Sequence, residues 1–260
     1  MQIFIHSFQS EWLKKKGTLA FWLVFVGAFF IPLIFTCRGL FYPADFLAEA
    51  KTPVFWDVLQ IRSWQFMAIF LLPMGVILST SLITQLEFRN NTWKQLHTTP
   101  QSYTTVFFSK FAVIIVMLLQ FFVLFNIGIY LSALIPSLVR GNTDFFKHDF
   151  PWLTMLKHTS FYFLDCLPIV AIQYLVSLQF KNFLVPFSVG IGLLLTALIG
   201  LQWKYGYTIP YTYTQYYLFS GGNQGSPRPP QVNFHYWATG YFIGFTLLGY
   251  LLYISKKEKG

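Results

Sequence analysis

The chain has 260 residues, of which 55% are hydrophobic, 21% aromatic and only 10% charged, with a net charge of +9. Soluble domains carry about 25% charged residues, and 31 phenylalanines are more than one soluble core of this size buries. The composition therefore excludes a water-soluble enzyme or binding domain and leaves an integral membrane protein with small loops. Its positive charge is no argument for nucleic acid, because basic residues flank membrane spans in general.

Met1 to Lys16 reads as a short amphipathic helix. Ile3, Phe4, Phe8 and Trp12 alternate with Ser7 and Glu11 at helical spacing, and Lys14, Lys15 and Lys16 follow as a membrane-surface anchor. The first span is placed at residues 18–36. A signal peptide competes for this stretch, but the run is long and no small-x-small cleavage site follows it. Arg38 to Arg62 is polar, with Phe41, Phe46, Phe55 and Trp56 resting on the lipid interface. The second span, 64–86, holds Pro73, which predicts a kink whose freed carbonyl a neighbour must satisfy.

The stretch Glu87 to Lys110 is a shaped polar interval. Thr92 and Gln95 have capping-box spacing, Trp93 and Leu96 share a helical face, and Pro100 stops that helix. Thr99 and Pro100 then read as N-cap and first residue of the next long helix. A plain surface loop with good caps is the competing reading. The third span, 100–135, is longer than a bilayer and predicts tilt or projection; Gln120 and Asn126 interrupt it. The fourth, 159–180, contains Asp165, Pro168, Gln173 and Gln179. The fifth, 183–203, follows the tight turn at Lys181 and Asn182. An outer segment, 204–234, is rich in Tyr, Gly and Pro and is expected to pack at the interface. The sixth span, 235–254, precedes Lys256, Lys257 and Lys259.

Six spans put both termini on one side. With both inside, ten basic residues lie on the inner segments and eight on the outer. The inner ones sit closer to the span ends, where the positive-inside rule has force, so both termini are expected to be cytoplasmic.

Ser10 to Lys16 reads Ser-Glu-Trp-Leu-Lys-Lys-Lys just before the first span. Glu87, the block Thr92-Trp93-Lys94, Pro100 and Lys110 follow in the second loop. Together with the span count and loop sizes, these residues resemble the ABC type-2 exporter permeases, most of all the bacitracin-resistance and lantibiotic-immunity permeases. The resemblance implies an all-α integral membrane fold similar to the G subfamily of ABC exporters, with residues 1–260 forming a single transmembrane permease domain. It also implies a dimer with a second permease copy or a paralogous permease, separate ABC ATPase subunits, and a place in the bacterial cytoplasmic membrane. The loop at 87–105 would be the coupling element, with Glu87, Thr92, Trp93, Lys94 and Leu96 facing the ATPase. Span five would lie near the dimer axis, which assigns its small-residue stripe Ser188, Gly192, Thr196 and Gly200 to the dimer contact. The shorter span-six pair, Gly240 and Gly244, is assigned to packing within the subunit.

The chain carries no Gly-x-x-x-x-Gly-Lys-Ser/Thr loop. It is therefore expected to be no enzyme itself and to hold no cofactor, with ATP and Mg²⁺ on the partner ATPase. Ser220 to Gln224 superficially looks like an ABC signature but reads as a glycine turn. The five histidines show no metal-ligand spacing, and no protease motif is present. Asp165 is the one acid within a span. It is expected to line a translocation path with Gln120, Asn126 and Gln173, or else to reach the interface or pair with a nearby base. Cys37 and Cys166 are free buried thiols, or a pair if their helices adjoin. A secondary transporter or a membrane scaffold is the alternative function. It would call for charges within several spans or an inverted repeat, and neither is visible.

Overall fold

The computed structural model describes residues 2–89, 102–142, 144–147, 149–220 and 232–255. Helix α1 (Gln2–Lys14) is followed by the long α2 (Leu19–Phe41), capped by the Thr18 hydroxyl, and by the short α3 (Pro43–Ala50). Then α4 (Phe55–Phe66) passes through one wide π turn, Met67–Leu71, into α5 (Leu72–Arg89). After the polar loop come α6 (Tyr103–Val139), α7 (Trp152–Gln179) and α8 (Leu184–Gly200). Two 3₁₀ turns at Gly206–Thr208 and Pro210–Thr212 lead into the short α9 (Tyr213–Phe219), and α10 (Phe234–Ser255) closes the chain. Among the described residues there is no strand, and the molecule is an all-α membrane protein.

Five of these helical stretches are long and apolar enough to cross a bilayer: α2, Phe55–Leu86, α6, α7 and α10. Helix α8, with 17 residues, is apolar but shorter. At 1.5 Å per residue it spans about 25 Å, against about 30 Å of hydrocarbon. Several expected bounds shift. The second crossing begins at Phe55 rather than 64, because Phe55 and Trp56 are buried against the α6 ring Tyr130 and Phe145 instead of lying on lipid. The third is described from Tyr103 under a Ser102 cap; the expected cap and first residue, Thr99 and Pro100, lie outside the described residues. The fourth begins at Trp152, about two turns before the sequence reading. The fifth ends at Gly200. Beyond it the backbone folds sharply back, and at Gly206 a Cβ would lie 2.3 Å from the Gly200 carbonyl oxygen and 2.1 Å from the Tyr216 hydroxyl, so only glycine fits.

Two proline–glycine contacts lock α2 against α6. A Cβ on Gly128 would lie 2.8 Å from Pro32 Cγ, and one on Gly39 would lie 2.7 Å from Pro136 Cγ. Each ring fills the space its glycine leaves, which lets two backbones approach closely in lipid. Helix α10 packs most extensively on α7, and α5 packs on both α7 and α8. The core is strongly aromatic. Trp64 stacks on Tyr162 at 3.8 Å between centroids and meets Phe125 edge-on. Helix α1 and the C-terminal end of α10 share one face of the bundle, since both pack at the start of α6.

Candidate functional site

The loop between α5 and α6 is the element the sequence singled out. Thr92, Trp93, Lys94 and Leu96 lie outside the described residues, and Glu87 falls in the last turn of α5. The two ends of the loop are described, and both are tied down. On the entering side, Gln85 Nε2 donates to the Phe180 carbonyl at 2.8 Å, fixing α5 to the turn between α7 and α8. On the leaving side, α6 is held from three directions. Tyr174 of α7 donates to the Phe107 carbonyl at 2.9 Å, the Thr104 and Tyr250 hydroxyls meet at 2.9 Å, and α1 lies along its first turns.

The contact of α1 with α6 follows from the amphipathic pattern. Ser7, Glu11 and Lys15 recur every four residues and all three are buried. Ser7 and Ser109 hydroxyls meet at 2.9 Å, while Phe8 and Trp12 pack on the core. Lys14 pairs with Glu11. Lys15, which the sequence placed among surface anchors, is instead 1% exposed, with its Nζ 3.0 Å above the centre of the Trp12 ring. Burial pushes its ammonium down to about 8.

The expected polar path resolves into separate clusters. Asn126 Nδ2 donates to the Phe122 carbonyl at 2.7 Å and to the Thr159 hydroxyl at 3.0 Å, so it joins α6 to α7. Asp165 is fully buried and its Oδ1 lies 2.8 Å from His235 Nδ1, joining α7 to α10. Gln173, two turns further along α7, is also fully buried. Its Nε2 donates to Ser81 Oγ at 3.1 Å and to the Pro186 carbonyl at 2.6 Å, and its Oε1 accepts from Tyr211 at 3.2 Å. One side chain thus ties α7 to α5, α8 and the segment after α8. Gln120 is half-buried. Within one subunit these four residues do not come together. His235 and Tyr211 are the partners that sequence reasoning missed, and each lies in or beside the aromatic outer segment.

That segment does more than rest on the interface. Tyr211, Thr212, Tyr213, Thr214, Gln215 and Tyr216 are all buried. Thr214 Oγ1 donates to the Ala68 carbonyl and Gln215 Nε2 to the Ile69 carbonyl, each at 3.1 Å. Ile69 stands four residues before Pro73, which has no N–H to offer it. The outer segment therefore supplies the donors that the kinked helix lacks, which answers the need Pro73 set up. Residues 221–231, including most of Ser220–Gln224, lie outside the described residues.

Ser188, Gly192 and Thr196 line an exposed face of α8; a Cβ on Gly192 meets nothing within 4 Å. Gly200, grouped with them by spacing, is buried in the same subunit, where a Cβ would lie 2.6 Å from Ile209 Cδ1. The span-six pair requires a correction. Gly240 and Gly244 are exposed with open space beside them, and the glycine of α10 that packs internally is Gly249, where a Cβ would lie 3.4 Å from Leu175 Cβ. Cys37 is exposed and Cys166 buried, both as free thiols.

A bundle of crossing helices, an amphipathic helix laid on the start of α6, and a segment after α8 folded back into the bundle together define a multi-pass membrane protein. The family model described as ABC-2 family transporter protein matches residues 7–199, from within α1 to the end of α8. The chain belongs to this family and is an ABC transporter permease component, the membrane part of a transporter rather than its catalytic part. Neither a curated protein nor a solved structure matches it.

Proposed function

We propose that the chain is the permease subunit of an exporter driven by a separate ABC ATPase. It moves a hydrophobic or peptide substrate outward, in export or in antimicrobial-peptide immunity of the bacitracin-resistance or lantibiotic-immunity kind. It works in the bacterial cytoplasmic membrane with both termini cytoplasmic, as a dimer with a second copy or a paralogous permease. ATP and Mg²⁺ bind on the partner. The observation that carries this reading is the family match over residues 7–199. The tied ends of the loop at 87–105 support its coupling role. A force applied between Arg89 and Ser102 reaches α1, α7 and α10 through hydrogen-bonded contacts rather than through a slack linker.

The direct test is purification of the tagged chain from its native membrane, followed by identification of a stoichiometric ABC ATPase. Within the assembled complex, Trp93→Ala removes the aromatic anchor of the coupling loop, and aromatic anchors dominate interfaces. The variant is expected to insert normally and to lose ATPase binding or substrate-dependent ATP hydrolysis. Retention of both at wild-type level would remove the coupling assignment.

A further inference from the structure

Between α2, α5 and α6 lies a cleft of about 250 Å³, closed at its back by Val170 of α7. Its wall along the second crossing runs from Met67 to Thr80, about 20 Å at 1.5 Å per residue. The volume is therefore spread over a long, narrow slot. Three methionines, Met67, Met74 and Met117, line it and offer adaptable, polarisable walls. Gly27 and Gly75 thin those walls: a Cβ on Gly75 meets nothing within 4 Å. The lining is otherwise almost wholly apolar, and Thr80 is the exception that matters. Thr80 is fully buried, it lines the slot, and its Oγ1 has no hydrogen-bond partner among the described residues. A buried hydroxyl left unpaired is costly, and native structures rarely keep one without a reason.

We propose that this cleft is a binding site for the tail of a single-chain amphiphile drawn from the bilayer, with the Thr80 hydroxyl hydrogen-bonded to a ligand oxygen. An extended alkyl chain matches the length and the apolar lining of the slot. The methionines supply apolar contact along the chain, and the unpaired hydroxyl supplies the one polar contact deep in the membrane. The site stands independently of the export reading, because binding is measured without ATP or a partner.

The test uses the full chain in phosphatidylcholine nanodiscs and a diazirine-bearing hexadecanol, with unlabelled hexadecanol as competitor. Peptide mapping by mass spectrometry is expected to find saturable, competed label on the Met67–Thr80 and Met117–Phe121 segments. Gly75→Leu fills open space without a clash and is expected to abolish that label while leaving thermal stability unchanged. Thr80→Val removes a hydroxyl that has no partner among the described residues. It is expected to raise the half-saturating concentration about threefold to tenfold, the worth of one neutral hydrogen bond, with stability unchanged or raised. Label that does not saturate, that is no stronger than on the lipid-facing Leu251 region, or that persists in Gly75→Leu overturns the site. An unchanged half-saturation in Thr80→Val overturns the hydroxyl contact.

Discussion

His235 Nδ1 and Asp165 Oδ1 lie 2.8 Å apart, and this pair fastens the first turn of α10 to the middle of α7. Asp165 is fully buried and its other oxygen, Oδ2, has no partner among the described residues. Removing His235 therefore leaves a buried carboxyl group with nothing to satisfy it. His235→Ala is expected to cost about 3 kcal/mol of stability. Asp165→Asn placed on the same background should recover at least about 1 kcal/mol, because neighbours in one pair are not additive. Thermal unfolding of the two single variants and the double variant gives the coupling directly. Additive effects would show that the pair contributes nothing as a unit.

Gln215 and Pro73 form a second coupled pair, through the Ile69 carbonyl. Gln215→Ala strands that carbonyl and is expected to cost about 1–3 kcal/mol. Pro73→Ala restores a backbone N–H four residues after Ile69, so the carbonyl regains a donor within its own helix. The cost of Gln215→Ala should then fall by more than half in the Pro73→Ala background. An unchanged cost would mean that the outer segment binds the π turn for reasons other than the missing donor.

The crossings were legible because apolar runs of twenty residues have few alternative uses. The amphipathic helix before the first span was legible from its four-residue spacing. Pro73 announced a freed carbonyl, and that need is met. What the sequence hid was the identity of partners distant along the chain. Asp165 and His235 are 70 residues apart, and Gln173 and Tyr211 are 38 apart. Nothing in local spacing links them. A polar residue inside a span reads equally as path lining or as a tether between helices, and periodicity cannot separate the two. Lys15 misled for a related reason. A lysine beside two others looks like an anchor, yet it follows Ser7 and Glu11 on the buried face and lies over the Trp12 ring. Gly200 and the span-six pair misled because spacing records that small residues align, not which surface they meet.

Lys15 gives a pH dependence whose sign follows from its burial. Its folded value is about 8, against an ordinary value of 10.5. Between these two pH values the unfolded chain holds a proton that the folded chain has released. Stability therefore rises with pH across that window, and the penalty of burying the charge is greatest below it. Lys15→Met keeps an apolar stem and removes the titration. The difference in melting temperature, wild type minus variant, is expected to increase from pH 8 to pH 10.5. A flat difference would show that the ammonium keeps its proton under the Trp12 ring, with the cation–π contact offsetting desolvation.

The exposed face of α8 and the exposed glycines of α10 make opposite predictions about assembly. Ser188, Gly192 and Thr196 form a shallow strip, and Gly240 and Gly244 form another, flanked by Tyr236, Trp237 and Tyr241. Both present small side chains to the outside, and close packing of small residues is what lets helices associate in lipid. The proposed dimer, with span five near its axis, assigns its contact to the α8 strip. Single cysteines at Gly192 and at Gly244, in a background lacking Cys37 and Cys166, separate the two. Crosslinking of the 192 variant to a second copy or to a partner permease, with the 244 variant silent, is the expected outcome. Gly192→Leu should then dissociate the assembly while leaving the melting temperature of the subunit within about 2 °C, because its Cβ touches nothing within the chain. Crosslinks from position 244 alone would move the dimer contact to α10 and leave the α8 strip facing lipid.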